Sequence, residues 1–405
     1  MRRRSGDEGG RRWLPWAVGI LSVGLLLTGG TVFARRSGFL DAIPGQGAPE
    51  LKNELAGAES PYLRSAAGQP VHWQRWGPDA FRLATKLNRP VWLDVGAIWC
   101  HWCHVMDRES YEDPDIASLL NAHFVPVKVD RDRRPDIDSR YQVAFQALNR
   151  RGGGWPLTMM LLPDGVPFAG FTYLPPTSRQ GRPGIEQLAP RVAQVYREQR
   201  DRVEEMSRQV AQAVDRGRRA AASGGALTAD LPRSIADDVG SAVDSEYGGF
   251  GSGDGPKFPN APAVRLALAE GFLHGDEALQ DRALETLDAY ARSGMYDQVR
   301  GGFFRYSVNR ALTRPHFEKM DYVQAGLLRA YLDAYRLTGD DRYARVARGI
   351  LAYVNRTLSD RAEGGFYAHQ DADVSMDDDG SYYTWTPAEL RSAVTPEAYR
   401  ALRLY

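Results

Sequence analysis

Residues 91–104 read VWLDVGAIWCHWCH. Val91 to Val95 is a mostly apolar run, the pattern of a strand buried on both faces of a parallel sheet. It leads into Cys100, after which a helix is expected through about Ser110. Two cysteines three apart on the first turn of a helix suit thiol–disulfide exchange. The helix N-terminus offers unpaired N–H groups and the positive end of the dipole, which stabilise a thiolate, and the thiolate is the attacking species. Cys100, nearer the helix start, is the expected nucleophile. Cys103, one turn on, is expected to be more shielded and to resolve the mixed disulfide. His101 and His104 would favour the thiolate if protonated and could move protons if neutral. A buried carboxyl at Asp94, six residues before Cys100, would have a raised pKa and could accept a proton from Cys103. Further on, a cis proline at Trp155-Pro156 would cap the disulfide and hold an extended substrate backbone.

Around this stretch the texture alternates. Residues 78–87 read as a short amphipathic helix ending at Asn88. Residues 114–122 read as another, with Asp113 as N-cap and Pro114 at its first position. A strand over 124–129, a helix over 137–148 and a glycine-rich approach at 150–154 follow. Residues 157–162 and 166–171 form a hairpin about Pro163-Asp164-Gly165. One long helix, roughly 185–220, closes the unit. Strands alternating with helices imply a parallel sheet, to which the hairpin adds an antiparallel edge. Ser223-Gly224-Gly225 then marks a boundary. Helical patterns fill about 227–245, 260–274, 276–293, 317–338, 340–358 and 387–403. A Gly-Gly-Phe element recurs at 248, 301 and 364, offsets of 53 and 63 residues. This reads as a degenerate repeat of helix pairs whose loops share one face.

The chain has 405 residues, enough for two or three domains. Apolar residues at 43% and charged residues at 25% are ordinary globular values, which excludes wholesale disorder. Basic and acidic residues number 51 each, so a dedicated nucleic-acid binder is not expected. The only two cysteines are Cys100 and Cys103, which excludes a disulfide-stapled scaffold and a four-cysteine zinc site within one chain. Residues 1–12 form a basic flank. Trp13 to Ala34 carries no charge, and 22 residues at 1.5 Å each span about 33 Å, enough for a membrane. With the basic flank inside, the rest of the chain is exported. A signal peptide cleaved after Val32-x-Ala34 also fits, as does a buried helix. Residues 35–59 are rich in Gly, Pro and Ala and read as a tether.

Longer motifs reinforce the pattern. They are SPYL at Ser60–Leu63, CHWCHVM at Cys100–Met106, VDRDRRPDID at Val129–Asp138 and GGGWPL at Gly152–Leu157. The second half holds PKFP at Pro256–Pro259, GGFFRYSV at Gly301–Val308, PHFEKM at Pro315–Met320 and DAD at Asp371–Asp373. Over about Ser60 to Thr386 the chain resembles thioredoxin, and more closely the thioredoxin-domain proteins similar to spermatogenesis-associated protein 20. The resemblance implies an α/β thioredoxin-like domain at 60–222. An all-α helical-hairpin domain at 227–405 should follow, a partial α/α toroid similar to sugar epimerases and six-hairpin glycosidases. About six helices stand where a full toroid needs twelve. Asp94 and Trp99 resemble ordinary thioredoxins more than this family, and Asp321 and Val323 alter the stretch after PHFEKM.

Other readings of the same residues stand beside this one. Cys-x-x-Cys-His is also a haem-attachment pattern. Cys100, Cys103 and His104 could supply three metal ligands, and the pair could be structural. His72, His123 and His274 lack any motif. His316 and Glu318 need a strand or loop to converge. Asp371, Asp373 and Asp377–Asp379 resemble a cation loop, but the calcium pattern fails for want of a glycine in register. Tyr382, Tyr383 and Trp385 could stack on sugars or fill a core.

The reading adopted is a membrane-anchored thiol–disulfide oxidoreductase acting on thiols or disulfides of exported proteins. Its catalytic pair is Cys100 and Cys103, supported by Asp94, Trp99, His101, Trp102, His104, Trp155 and Pro156. It needs no metal and no cofactor beyond the Cys100–Cys103 disulfide, and it depends on a separate recycling partner. A second site in the helical half would use His316, Glu318, Asp371 and Asp373. The alternative is a glycan- or protein-binding module, or a sugar-modifying enzyme, built on the helical half with the thioredoxin-like half as scaffold.

Overall fold

The computed structural model describes residues 51–402, apart from residues 180, 223, 226, 376, 377 and 379. The expected basic flank, the membrane anchor at 13–34, most of the tether, Asp377 and Asp379 lie outside the described residues. Among the described residues no helix is long and apolar enough to cross a membrane. The chain divides into two units. One holds the residues up to Ile98 together with Val105–Ser223; the other holds Trp99–His104 together with the chain from Gly224 onward. The boundary read at 223–225 therefore separates most of the chain but not the cysteine hexapeptide.

The first unit is built on five strands: β1 (Gln74–Arg75), β2 (Val91–Gly96), β3 (Val125–Asp130), β4 (Leu157–Leu161) and β5 (Pro167–Phe171). Their order is β1-β3-β2-β4-β5. The first three run parallel, while β4 is antiparallel to β2 and β5 to β4. Every residue of β2 and β3 is buried. That explains their near-continuous apolar runs, within which two charged residues, Asp94 and Lys128, sit opposite each other in register, while Asp130 ends β3.

Helices α1 (Pro61–Ser65), α2 (Pro78–Leu87), α3 (His101–Met106), α4 (Pro114–His123) and α5 (Pro135–Asn149) follow the capping signals in the sequence. Ser60 accepts the Leu63 N–H, Asp113 accepts those of Asp115 and Ile116, and Asn88 closes α2 at a φ of 48°. After α3 the backbone widens into a π-turn, Asp107–Tyr111, which turns Asp107, Ser110 and Tyr111 inward.

Trp92 and Met160 face one apolar cluster with Ile116, Leu120, Leu188 and Val192. Val91, Leu93, Val95, Met159 and Leu161 face the other, with Ala84, Ile137, Tyr141 and Phe145. The expected long helix over 185–220 is two helices, α6 (Ile185–Glu198) and α7 (Arg200–Ala222), broken at Gln199. Within α7, Val203 belongs to the first cluster and Val210 to the second.

The second unit is helical: α8 (Leu231–Ser241), α9 (Ala261–His274), α10 (Glu277–Arg292), α11 (Asp321–Thr338) and α12 (Asp341–Tyr353) pack as successive hairpins. Residues 317–320, expected at a helix start, are extended instead. Two-residue ladders join β6 (Tyr306–Ser307) to β7 (Pro315–His316), and β8 (Lys319–Met320) to β9 (His369–Gln370). The single helix expected over 387–403 is divided into α13 (Pro387–Ala393) and α14 (Pro396–Leu402). Pro396 lacks an N–H and disfavours helical backbone in the residue before it.

The Gly-Gly-Phe loops share a construction. In the first, Asp244 accepts the N–H groups of Glu246 and Tyr247, and Lys257 Nζ donates to Asp244 Oδ2 at 2.6 Å and to the Gly248 carbonyl at 2.7 Å. In the second, Asp297 accepts those of Val299 and Arg300, and Lys319 Nζ donates to Asp297 Oδ2 at 2.6 Å and to the Gly301 carbonyl at 2.9 Å. The third loop repeats the Asp360 turn, but no lysine clasps it among the described residues. Its Phe366 is 61% exposed, whereas Phe303 is fully buried. Glycine is required at 301: its φ is +76°, and a Cβ there would lie 2.4 Å from the Gly349 carbonyl oxygen.

Gly301→Ala is therefore expected to cost more than the ~1 kcal/mol at stake where alanine fits, read as a lower urea midpoint. Asp244 supplies a pH prediction. Arg310 and then Lys257 hold its carboxyl well below the usual range, against the opposing effect of burial. The folded value lies below the unfolded one, about 3.9, so this stabilisation is complete above that pH and is lost as pH falls toward the folded value. Between pH 7 and pH 3 the urea midpoint of Asp244→Asn should fall less than that of the parent chain.

Candidate dithiol site

Cys100 sits immediately before α3. Its carbonyl accepts the N–H of Cys103 at 2.9 Å and of His104 at 3.1 Å. The Cys103 N–H also lies 3.2 Å from Cys100 Sγ. A sulfur at the tip of the helix thus meets a backbone donor, the arrangement that favours a thiolate there. The two cysteines form a disulfide with Cα atoms 5.2 Å apart. The expected contrast between an open Cys100 and a shielded Cys103 is not found, since both are buried, at 2% and 1% exposure. Trp99, at 1% exposure, is covered within the second unit by the Arg305 guanidinium, 4.8 Å from its ring, and by His369. Trp102 is 39% exposed, with its ring 5.6 Å from that of His101.

His101 and His104 are three apart and share a helix face. Both converge on Asp373, whose Oδ2 is 2.9 Å from His101 Nδ1 and 3.2 Å from His104 Nδ1. Burial alone would raise the Asp373 carboxyl, but the two imidazoles hold it well below the usual range. Asp371 Oδ2 is 3.9 Å from His104 Nε2. Its carboxyl is pushed up to about 6, chiefly by burial. The Asp373 N–H donates to Asp371 Oδ1 at 3.1 Å, which holds the two acids on one turn.

His316 joins the same cluster. Its ring is 5.5 Å from that of His101 and stacks on Tyr306 at 4.8 Å. Its Nδ1 is 2.7 Å from Glu318 Oε2, and Glu318 Oε1 is 3.7 Å from Arg305 Nη1. Extended backbone between β7 and β8 lets positions 316 and 318 converge. His316, Glu318, Asp371 and Asp373, read from sequence as a separate site, therefore gather around the cysteine hexapeptide within the second unit. Among the other aromatics, Tyr383 stacks on Phe317, both half-buried, while Tyr382 and Trp385 are exposed. His274, itself exposed, pairs with the buried Glu270.

In the first unit Asp94 is the buried carboxyl the sequence suggested, and it is ion-paired. It is fully buried, and its Oδ2 accepts from Lys128 Nζ at 2.8 Å and from the Tyr62 hydroxyl at 3.1 Å. Lys128 also donates to Asp107 Oδ1 at 2.8 Å and lies over the rings of Tyr62, Trp73 and Tyr111. Burial raises the Asp94 carboxyl, with Lys128 opposing. Burial alone would depress the Lys128 ammonium, but Asp107 and Asp94 raise it above its ordinary value. The carboxylate is committed to an ion pair. The sequence reading missed Lys128, although a lysine in the middle of the run VPVKVD was a usable signal. It also gave no role to Arg305, although that residue lies inside the GGFFRYSV motif, or to His369. The Trp155–Pro156 peptide is cis. Trp155 donates to Asp138 Oδ1 at 2.9 Å beneath the Arg131 guanidinium, and Ser60 donates to Asp130, so three of the longer motifs lock together.

Comparison with known proteins places these features. Residues 52–215 match the family model described as "Thioredox_DsbH: Protein of unknown function, DUF255". The chain is 40% identical to human spermatogenesis-associated protein 20 over 358 residues, which cover 84% of this chain and 44% of that protein. The mouse protein is 39% identical, over 85% of this chain and 44% of the relative. The chain thus spans under half the length of these relatives. Among solved structures, a protein titled DsbH oxidoreductase aligns at 17% identity and a TM-score of 0.23, covering 31% of this chain and 83% of that one. Cellobiose 2-epimerase from Spirochaeta thermophila aligns at 18% and 0.30, covering 36% of this chain and 42% of that one.

The lysine triad carries the prediction from this site. Lys128→Met strands Asp94 and Asp107 without a cation and should destabilise the chain by about 3–5 kcal/mol in urea unfolding at pH 7. Adding Asp94→Asn should recover part of that loss.

Proposed function

Because residues 52–215 belong to the thioredoxin-like Thioredox_DsbH family and the chain is a homologue of spermatogenesis-associated protein 20, we propose that it is a thiol–disulfide oxidoreductase. Its substrates are disulfides of exported proteins, and residues 13–34 anchor it in the membrane. The observation that carries the reading is the Cys100–Cys103 disulfide at the start of α3, with a backbone N–H 3.2 Å from the Cys100 sulfur.

The cycle follows from that geometry. In the reduced pair the Cys100 thiolate attacks one sulfur of a substrate disulfide. A mixed disulfide forms and the first substrate thiolate leaves. The Cys103 thiolate then attacks the Cys100 sulfur, closing the internal disulfide and releasing the second substrate thiolate. Two electrons pass to the substrate, and the two thiol protons go to the leaving sulfurs. A separate dithiol partner restores the pair by the reverse exchange. With Cys100 only 2% exposed, exchange with a protein requires its sulfur to be uncovered first.

A second reading, a glycan- or protein-binding helical unit on a thioredoxin-like scaffold, is favoured by the exposed Tyr382 and Trp385. Glycan-array binding that survives Cys100→Ser would support it.

Equilibrating the full chain in glutathione buffers and counting free thiols tests the main reading. A reversible two-electron couple is expected, with loss of the couple in either cysteine variant. Cys103→Ser should accumulate mixed disulfides through Cys100, and bulky maleimides should label the reduced chain more slowly than iodoacetamide. A pair that cannot be cycled, or that never forms a mixed disulfide, rules the oxidoreductase out.

A further inference from the structure

We propose that Asp373 is a positioning residue for the dithiol: through His101 and His104 it keeps positive charge beside the sulfurs and so raises the reduction potential of the Cys100–Cys103 couple. The inference rests on the oxidoreductase reading and names what tunes that site. Asp373 and the cysteine hexapeptide belong to the same unit of the structure.

The two histidines stand next to the two sulfurs in the chain, His101 after Cys100 and His104 after Cys103. His104 also lies one turn beyond Cys100, and its N–H donates to the Cys100 carbonyl at 3.1 Å. A single oxygen, Asp373 Oδ2, is 2.9 Å from His101 Nδ1 and 3.2 Å from His104 Nδ1. A carboxylate only accepts, so both Nδ1 atoms carry protons. The Asp373 side chain is 1% exposed, and a carboxylate so buried is costly without positive partners. Among the described residues, the basic groups paired with it are these two imidazoles. Burial alone would raise its carboxyl, yet the rings hold it below the usual range. The same interaction, seen from the rings, favours the imidazolium form. Within the second unit the other ionisable neighbours are Asp371, 3.9 Å from His104, and His316, whose ring is 5.5 Å from that of His101 and which is itself bound to Glu318. Asp371 acts on His104 in the same sense as Asp373. One carboxylate shared by two imidazolium rings leaves a net positive charge on the helix that bears the sulfurs.

That charge acts on one redox state. Reduction by two glutathione thiols breaks the Cys100–Cys103 bond, places two electrons on the pair and releases one glutathione disulfide. One proton stays on the pair if Cys100 is a thiolate, two if it is a thiol. The disulfide carries no charge for the imidazolium rings to stabilise, whereas the thiolate does. Stabilising the reduced form makes the couple more oxidising.

The test is equilibration of the full chain at pH 7 in glutathione buffers. Asp373→Asn should raise the ratio [GSH]²/[GSSG] at half-reduction by at least about threefold, since a shift of one pKa unit in a thiolate corresponds to tenfold. His101→Gln/His104→Gln should raise it as well, and adding Asp373→Asn to that chain should raise it no further. His274→Gln should keep the parent ratio. Urea midpoints identify any variant that fails to fold. His101→Gln alone should still raise the ratio if Asp373→Asn unfolds. A parent chain that never cycles overturns the oxidoreductase reading and this inference with it. A parent that cycles while Asp373→Asn or His101→Gln keeps its ratio, or lowers it, overturns the inference alone. So does a further rise on adding Asp373→Asn to the chain without the histidines.

Discussion

The ammonium of Lys128 ties together parts of the chain that are far apart in sequence. It reaches Asp94 on the neighbouring strand and Asp107 in the π-turn after α3, each at 2.8 Å, from inside a cage of Tyr62, Trp73 and Tyr111. Burying three ionisable groups costs several kcal/mol per ion, and their mutual attraction offsets this only while every partner is in place. The constraint therefore selects one register. A slip of one residue between β2 and β3 would turn a charge into the apolar face that lacks a partner. The same triad explains why the backbone widens after the cysteine helix, because the π-turn carries Asp107 inward.

This constraint also engages Asp94. In sequence it stands where a buried carboxyl could take a proton from the second cysteine. In space Lys128 and Tyr62 occupy its oxygen. Within the second unit, the groups that approach the hexapeptide come from the helical half. Asp373 receives both His101 and His104, and His316 and Glu318 extend the network to Arg305 above Trp99. The pieces read as a thiol motif and a separate acid–histidine site form one polar cluster.

The helical half shows how a repeat survives without sequence identity. Each Gly-Gly-Phe loop closes with an aspartate that accepts two backbone N–H groups and with two glycines at positive φ. In the first two, a lysine from an extended segment further along clasps both the aspartate and a glycine carbonyl. The lysines lie at different distances along the chain, 13 and 22 residues after their aspartates. Inspection of spacing therefore finds the glycines but not the clasp.

Local chemistry was legible in advance. Asp113 and Asn88 cap helices, the apolar runs read at 91–95 and 124–129 fall on strands, and the cysteines stand at a helix start, because each depends on residues within one or two turns. Periodicity did not show the break at Gln199. Nor did it show that Asp373, some 270 residues along, meets His101. Sequence by itself determined which segments become helix or strand and where the sulfurs sit on their helix. Only the tertiary structure decided which charges face one another and that both sulfurs are covered, because burial and pairing depend on what distant segments bring to the same place.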